Sequence, residues 1–228
     1  MKEYASDKIR NVAVLSHDGA GKTAVVESLL LAGGAVSAVG TGKDNKHIMD
    51  FEPEEIKRNV TIQLGIAPCE WDGYKLNFLD TPGYSKPDSA AYSARTDAAI
   101  ARSQLNASDH ILWCIPADAG AISTDDVNFL KSLSKDIPKL IIITKADKAP
   151  SDEDLRRMAD GVRETLDRHG IRYADVLTSA RGKHAACDRE AIESCLTKLD
   201  EGKRTADFAY PFKKLFTQCK NYYDEPIL

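Results

Sequence analysis

Apolar residues fall into short runs along the chain, and polar residues separate one run from the next. The runs are rich in branched aliphatic side chains, which is typical of buried strands. Two of them flank Asp72-Gly73, a pair that favours a tight hairpin turn. The pattern predicts six strands, at residues 9–15, 61–71, 74–79, 111–115, 140–143 and 175–177.

Segments with a helical spacing of apolar residues alternate with these strands. In one of them Ser151 and Asp154 form a capping box. Five apolar residues of that segment share one helical face: Leu155, Met158, Ala159, Val162 and Leu166. The predicted helices are at residues 23–32, 123–133, 151–168 and 188–199, with an Ala-rich helix inside 85–108 after an initial loop. Residues 34–59 are polar and poorly periodic, which predicts a long loop of the kind that often carries function.

The alternation of strands and helices predicts an α/β fold. We expect a mostly parallel six-stranded sheet with one antiparallel hairpin strand and helices on both faces. Residues 1–202 are predicted to form one domain, and residues 203–228 an aromatic and basic tail that packs on the domain or leads out of it. Such sheets bind ligands beyond the carboxyl ends of their strands, so the residues that carry chemistry are expected there.

The composition of the 228 residues argues against several classes of function. The net charge of −4 gives no direct nucleic-acid signature. No apolar run approaches transmembrane length, and the N-terminal residues lack an apolar signal core. The five cysteines have no metal-binding spacing, and Cys114 and Cys195 fall on apolar stripes. A cytoplasmic protein with reduced cysteines is therefore predicted.

Residues 16–23, Ser-His-Asp-Gly-Ala-Gly-Lys-Thr, stand between the first predicted strand and the first predicted helix. Backbone N–H groups of such a loop, together with the helix N-terminus, attract anionic oxygens. Lys22 would reach the β- and γ-phosphates of a nucleotide, and the Thr23 hydroxyl would bind Mg²⁺. Ser16 stands where the strict motif has glycine. The alternative is a tight, glycine-rich turn with an exposed lysine.

Two further segments offer ligands for a metal and a γ-phosphate. Asp80-Thr81-Pro82-Gly83 follows the third predicted strand, so Asp80 can hold Mg²⁺ through water and the Gly83 N–H can meet the γ-phosphate. Thr61 opens the second predicted strand after the long loop. A threonine there can bind Mg²⁺ while a γ-phosphate is present and release it after hydrolysis. The alternative is an ordinary β-branched strand residue.

Thr144-Lys145-Ala146-Asp147 follows the strand predicted at residues 140–143. Asp147 can accept two hydrogen bonds from the N1–H and 2-amino groups of guanine, a donor pair that adenine lacks. The Lys145 stem can lie over the base. Ser179-Ala180, after the last predicted strand, can offer a backbone N–H to the guanine carbonyl. The alternative is a lysine and an aspartate that cap a strand end.

In this order the motifs resemble those of the P-loop GTPase G domain. The first 84 residues resemble translational GTPases, elongation factor G and its paralogues, through residues 9–14, 17–23, 49–55, 58–62 and 79–83. The remainder resembles Era-like or dynamin-like GTPases through residues 109–113, residues 117–120 and the Thr-Lys-x-Asp form of the base-reading motif. The resemblance implies GTP or GDP and Mg²⁺ as ligands. Ser16 fits it, because translational GTPases tolerate a small residue at that place.

The resemblance also implies roles for individual residues. Those implied at the phosphates are Asp18, Gly19, Ala20, Gly21, Lys22, Thr23 and Ala24, those at Mg²⁺ are Thr23, Thr61 and Asp80, and those at guanosine are Thr144, Lys145, Asp147, Ser179 and Ala180. Lys22, Gly83 and Tyr84 are implied in catalysis, although translational GTPases place a histidine where Tyr84 stands. Arg95 and Arg102 share a predicted helical face and could act as arginine fingers, or simply form a solvated surface.

A GTP-binding, Mg²⁺-dependent switch with slow GTP hydrolysis is the function that these motifs predict. A phenol with a pKa near ~10 is a poor base, so Tyr84 predicts low turnover without a protein or ribosomal effector. The alternatives are a nucleotide-dependent interaction module that does not hydrolyse GTP, the G domain of a dynamin-like membrane GTPase, and an ATPase.

Overall fold

A sheet of six strands forms the centre of the structure. The computed structural model describes residues 3–40, 47–49, 52–58, 61–62, 64–83, 105, 108–133 and 137–180. Its strands are β1 (Ile9–Leu15), β2 (Gly65–Trp71), β3 (Tyr74–Asp80), β4 (His110–Pro116), β5 (Lys139–Thr144) and β6 (Asp175–Thr178). They lie side by side in the order β2-β3-β1-β4-β5-β6. The pair β2 and β3 is antiparallel and the other described pairs are parallel, which confirms the predicted α/β sheet.

Four α-helices accompany the sheet in the part of the chain that the structure describes. They are α1 (Lys22–Ala32), α2 (Pro53–Arg58), α3 (Thr124–Ser132) and α4 (Asp152–Arg168). Short 3₁₀ turns occupy Ser6–Lys8, Ala117–Ala119 and Ala146–Lys148. No helix among the described residues combines the length and the apolar character that spanning a membrane requires.

Alternating side chains of the central strands contribute to two apolar cores, one on each face of the sheet. Val12 and Val14 of β1 belong to a cluster with the buried residues of α1, among them Leu29. Ala13 and Leu15, the alternate residues of β1, belong to a second cluster with buried residues of α3 and α4. Strands β4 and β5 are buried along almost their whole length. Helices therefore cover both faces, as the pattern predicts.

The best-signalled helix packs as predicted, but only the Ser151 half of its predicted capping box is present, because the Asp154 carboxylate accepts the Ser151 hydroxyl and not the Ser151 N–H. The buried residues of α4 are Leu155, Met158, Ala159, Val162 and Leu166. The Ser151 hydroxyl accepts the Asp154 N–H at 3.1 Å and so caps the first turn of α4. A complete capping box starts α3, because the Ser123 hydroxyl accepts the Asp126 N–H while the Asp126 carboxylate accepts the Ser123 N–H, each at 3.1 Å.

The start of β2 differs from its prediction. The pattern predicts a strand from residue 61, whereas β2 begins at Gly65. Gly65 pairs with Asp80, the last residue of β3, so the residues before Gly65 have no residue of β3 to pair with. The predicted position of Thr61 at the start of a strand is therefore wrong, and Thr61 lies in the segment that leads to β2.

The predicted long loop at residues 34–59 contains the short helix α2. Pro53 occupies its first position, and Glu54 and Glu55 bring negative charge to its first turn. Both features favour a helix N-terminus. The prediction missed α2 because six residues are too few for a hydrophobic period to show.

Several predictions fall outside the described residues. They concern the helix inside residues 85–108, apart from Leu105 and Ser108, the helix at residues 188–199, the domain boundary at residue 202 and the tail at residues 203–228. Tyr84, Arg95, Arg102 and Cys195 lie outside the described residues as well.

Replacing Ser123 by alanine removes the acceptor of the Asp126 N–H at the start of α3. We expect the free energy of unfolding to fall by about 1 kcal/mol, the usual cost of losing a side-chain cap. Urea denaturation followed by circular dichroism measures this loss. Thr124→Ala, at the neighbouring exposed position, is the matched control and should change stability by less than about 0.5 kcal/mol. Equal losses in the two variants would contradict the capping role.

Candidate functional site

One cleft collects the loops that follow the carboxyl ends of β1, β3, β5 and β6. Its volume is about 310 Å³. Strand β1 lies between β3 and β4, and a point where the strand order reverses in this way is where α/β sheets bind ligands. Most of the residues predicted at phosphate, metal and base line the cleft: Asp18, Gly19, Gly21, Lys22, Thr23, Ala24, Thr61, Gly83, Thr144, Lys145, Asp147, Ser179 and Ala180.

Two predicted site residues are buried and do not line the cleft. Ala20 lies within the loop that follows β1, and Asp80 is the last residue of β3. Asp80 pairs with Val14 of β1, which places it next to the strand that leads into residues 16–21. Tyr84 lies outside the described residues, so its predicted part in catalysis stays a prediction.

The loop at residues 16–21 holds the Lys22 ammonium inside the structure. Its Nζ donates to the His17 carbonyl at 2.9 Å and lies 3.5 Å from the Ser16 carbonyl, and only 5% of the residue is exposed. Gly21, which precedes α1, has a φ of 88°, a left-handed conformation that glycine adopts without steric cost. The alternative of a turn with an exposed lysine is therefore wrong. The ammonium and the first turn of α1 both favour an anion at this place.

Two threonines predicted as metal ligands meet, although they lie far apart in the chain. The hydroxyl oxygens of Thr23 and Thr61 are 3.0 Å apart. Hydroxyl and carboxylate oxygens suit Mg²⁺, and substrate phosphates usually complete its coordination. Among the described residues, no group of three His, Cys, Asp or Glu could hold a metal ion. The oxygen donors of Thr23, Thr61 and Asp80 are of the type that Mg²⁺ binds together with phosphates.

The charges of Lys22 and Asp80 act on the same buried thiol. Burial raises the pKa of Cys114, on β4, to about 12, while the Lys22 ammonium opposes the rise and the Asp80 carboxylate adds to it. Cys114 is thus a neutral core residue, as the pattern predicts. Both charged groups therefore lie within electrostatic reach of Cys114 on β4.

Gly83 lies directly against the loop at residues 16–21. A Cβ added at residue 83 would come within 2.6 Å of the Asp18 Cα, closer than real Cβ atoms approach. The Thr81 hydroxyl donates to the Val14 carbonyl at 2.7 Å and fixes the beginning of this segment to β1. The absence of a side chain at Gly83 therefore lets the backbone of residue 83 reach the loop at residues 16–21.

Thr144 joins the two halves of the cleft. Its hydroxyl donates to the Ala20 carbonyl at 2.5 Å, and both residues are buried. The end of β5 also packs on the loop, because a Cβ added at Gly21 would stand 3.7 Å from the Thr144 Cβ. Thr144 therefore fixes the distance between the loop at residues 16–21 and the turn that follows β5. This structural role is separate from the contact with guanosine that the sequence predicts for Thr144.

The turn that carries Asp147 is held from two sides. Lys145 has a left-handed backbone with a φ of 53°, and its Nζ lies 3.4 Å from Asp118 Oδ2. The Ala146 N–H donates to the Ser179 carbonyl at 3.1 Å. Asp118, in the turn after β4, is a residue that sequence reasoning used for the resemblance without assigning it a role. Its contact restrains the lysine stem that is predicted to cover the base.

Glu27 is a fully buried carboxylate that no motif marks. It accepts the N–H groups of Gly40 at 2.8 Å, of Ile48, and of Met49 at 3.4 Å, and the His47 Nδ1 lies 3.3 Å away. Burial raises the pKa of Glu27, but the hydrogen bonds from His47, Gly40 and Ile48 and the charge of His47 outweigh it and hold the pKa below its ordinary value. The sequence feature that could have indicated a buried carboxylate is the position of Glu27 inside the apolar run of α1.

Glu55 of α2 is a second buried carboxylate, and it lies in the segment 49–55 that carries the resemblance without having been assigned a role. It accepts the N–H of Ile62 at 2.8 Å and that of Glu52 at 3.4 Å. Ile62 follows Thr61, and His47, beside Glu27, lines the cleft. The two glutamates therefore fix parts of the segment between α1 and β2 that border the cleft.

The sequence model of the elongation factor Tu GTP-binding domain matches residues 7–219. Elongation factor G of Thermotoga neapolitana is 29% identical over 146 residues, which are 64% of this chain and 20% of that protein. The likeness therefore extends well beyond the first 84 residues, which carry the translational GTPase motifs. The chain spans about a fifth of the length of this curated relative.

Two solved structures share the fold. Translation elongation factor SelB from Methanococcus maripaludis, solved with the GTP analogue GppNHp, gives a TM-score of 0.60 at 18% identity, over 90% of this chain and 36% of the SelB chain. Era, solved with MgGDPNP and nucleotides 1506–1542 of 16S ribosomal RNA, gives a TM-score of 0.59 at 21% identity, over 86% and 59% of the two chains. At sequence identities of 18% and 21%, the similarity to these two structures shows a shared fold alone.

The lowered pKa of Glu27 predicts a contribution to stability that depends on pH. Its carboxylate stabilises the fold above pH 4.5, the ordinary pKa, and this contribution is lost as the pH falls through the lower pKa of the folded state. Glu27→Gln should therefore unfold about 1–3 kcal/mol more easily at neutral pH, and its difference from the wild type should shrink on acidification.

Chemical denaturation between pH 3 and pH 7 measures this difference. The control is Glu3→Gln, which changes an exposed carboxylate and should follow the wild type at every pH. A deficit in Glu27→Gln that stays constant across the range would contradict the assignment.

Proposed function

Since the chain belongs to the family of elongation factor Tu GTP-binding domains, we propose that it binds GTP and GDP with Mg²⁺ and acts as a switch that hydrolyses GTP slowly. One observation carries the proposal. A single cleft joins the buried Lys22, the Thr23–Thr61 pair and Asp147, which are the groups expected at phosphate, metal and guanine.

Lys22 and the backbone of residues 18–24 would bind the phosphates. The ammonium already lies in the loop, so a nucleotide need only replace its carbonyl partners by phosphate oxygens. Bound Mg²⁺, held by Thr23, Thr61 and Asp80, would add positive charge at those oxygens. Fixed groups that stabilise the charge of the transferred phosphoryl group supply most of such catalysis, and Lys22 and the Gly83 N–H would serve in that way.

Asp147 would select guanine at the opposite end of the cleft. Its carboxylate would accept the N1–H and 2-amino groups, and adenine would leave it without these donors at a large cost in affinity. The contacts that hold the turn at Lys145 and Ala146 favour this role, because they limit the motion of Asp147 relative to the phosphate loop. The same features favour GTP over ATP as the ligand.

Thr61 would make the cleft sensitive to the γ-phosphate. It lies outside β2, so no ladder of the sheet holds it, and its hydroxyl contacts Thr23 at the start of α1. A group in this position can join the metal coordination when the γ-phosphate is present and leave it after hydrolysis. The segment around Thr61 would therefore differ between the GTP and GDP forms.

Slow hydrolysis follows from Tyr84, because a phenol removes a proton from water poorly at neutral pH. We propose that a protein or ribosomal effector accelerates it. The relatedness to elongation factor G supports a translational partner, and so does the presence of ribosomal RNA in the Era complex. The same tyrosine favours a second candidate function, a nucleotide-dependent interaction module that binds GTP and does not hydrolyse it.

Asp147→Asn should shift the preference from GTP toward xanthosine triphosphate by at least about tenfold, because an amide N–H can donate to the 2-oxo group of xanthine. Calorimetry with GTP, GDP, ATP and xanthosine triphosphate, with and without Mg²⁺, measures the preference. The wild type should bind guanine nucleotides in preference to ATP. The control is Asp125→Asn at an exposed position of α3, and it should keep that preference. An unchanged preference in Asp147→Asn would refute the base-reading role.

Single-turnover release of phosphate from bound GTP distinguishes the switch from the interaction module. Slow but complete release is expected from the wild type. Tight GTP binding with no release over many hours would favour the interaction module. Fast release by the isolated protein that is lost in Tyr84→Phe would contradict the slow basal turnover.

A further inference from the structure

Glu55 is buried on a helix whose other described side chains are exposed. Only 3% of Glu55 is accessible, whereas Glu54, Ile56 and Lys57 of the same helix are exposed. Burial of a carboxylate is costly unless donors compensate it. The compensation comes from the backbone, since Glu55 Oε1 accepts the Ile62 N–H at 2.8 Å and Oε2 faces the Glu52 N–H at 3.4 Å.

The first of these bonds reaches the residue next to Thr61. The Ile62 side chain is 44% exposed, so apolar packing does little to fix this position. Strand pairing does not fix it either, because β2 begins at Gly65. Two described contacts hold this short segment in place, namely the Glu55 bond to Ile62 and the contact between the Thr61 and Thr23 hydroxyls at 3.0 Å.

We propose that Glu55 is a positioning residue for Thr61. The carboxylate holds the Ile62 N–H, and through it the Thr61 hydroxyl is kept beside Thr23 at the phosphate end of the cleft. The inference rests on the proposed function, because only that function provides the Mg²⁺ and γ-phosphate that Thr61 would contact. Glu55 itself does not line the cleft, so it acts on the nucleotide only through Thr61.

The consequence is a preference for the triphosphate form. Holding Thr61 in place before binding reduces the ordering that a γ-phosphate and its metal would otherwise require. A diphosphate offers no group that depends on Thr61, so its affinity is independent of Glu55. Removal of the charged acceptor should weaken binding of a triphosphate analogue about tenfold, the effect of one charge-assisted hydrogen bond.

A double-mutant cycle tests this coupling. The four proteins are the full chain as wild type, Glu55→Gln, Thr61→Val and the double variant. Calorimetry with Mg²⁺ gives their affinities for a non-hydrolysable GTP analogue and for GDP. Glu55→Gln should lower only the affinity for the analogue, and in the Thr61→Val background the same change should alter it less than about twofold. Glu54→Gln, on the exposed side of α2, is the matched control and should bind like the wild type.

Each outcome has a distinct meaning. If neither nucleotide binds to the wild type, the proposed function fails and the inference fails with it. If Thr61→Val weakens the analogue selectively but Glu55→Gln has the same effect in both backgrounds, the inference alone is overturned. The inference is likewise overturned if Glu55→Gln lowers the affinities for analogue and GDP equally.

Amide hydrogen exchange of the wild type gives a second measurement that needs no variant. Binding of the analogue in place of GDP should slow exchange of the Ile62 N–H, because Thr61 and the Glu55 bond stabilise each other. Equal exchange of this amide in the two complexes would overturn the coupling even if a Glu55 variant failed to fold.

Discussion

The burial of β1, β4 and β5 between two apolar cores is the constraint on which the rest of this structure depends. Helix α1 covers one face of these strands and α3 and α4 cover the other, so the strands have little freedom to shift. Their carboxyl ends therefore lie at fixed places along one edge of the sheet. The segments with Lys22, Gly83 and Asp147 begin at these ends or at that of β3. The hydrogen bond from Thr144 to Ala20 sets the distance between the loop at residues 16–21 and the turn that follows β5.

A different kind of contact holds the segment between α1 and β2. Glu27 and Glu55 are buried carboxylates whose acceptor oxygens bind backbone N–H groups of this segment. Such bonds are directional and few, so a modest change in free energy is enough to break them and form others. The apolar core, in contrast, opens only cooperatively. A rigid sheet combined with a segment that polar contacts hold is compatible with the proposed nucleotide-dependent switch.

Much of the fold could be predicted from local patterns. The buried face of α4 and the hairpin at Asp72-Gly73 follow from side-chain spacing and turn chemistry, and the structure has both. The start of β2 could not be predicted, because it depends on where β3 ends. Asp80 is the last residue of β3, so its partner Gly65 is the first residue of β2 that can pair. Helix α2 could not be predicted because its six residues are too few to show a hydrophobic period, and the burial of Glu55 depends on donors that are outside the helix.

The sequence by itself determined the chemistry of the candidate site, because Gly-Lys-Thr, Asp-Thr-Pro-Gly and Thr-Lys-Ala-Asp carry their donors and acceptors in local order after predicted strands. The tertiary structure decided which of these groups meet. It placed Thr61 against Thr23, Gly83 against Asp18 and Lys145 beside Asp118. It also showed a structural part for Glu27, which no motif marks, and for Glu55, which lies in the matching segment 49–55 without an assigned role. The physical reason is that a hydrogen bond between distant residues depends on how the elements pack, and packing is a property of the whole chain.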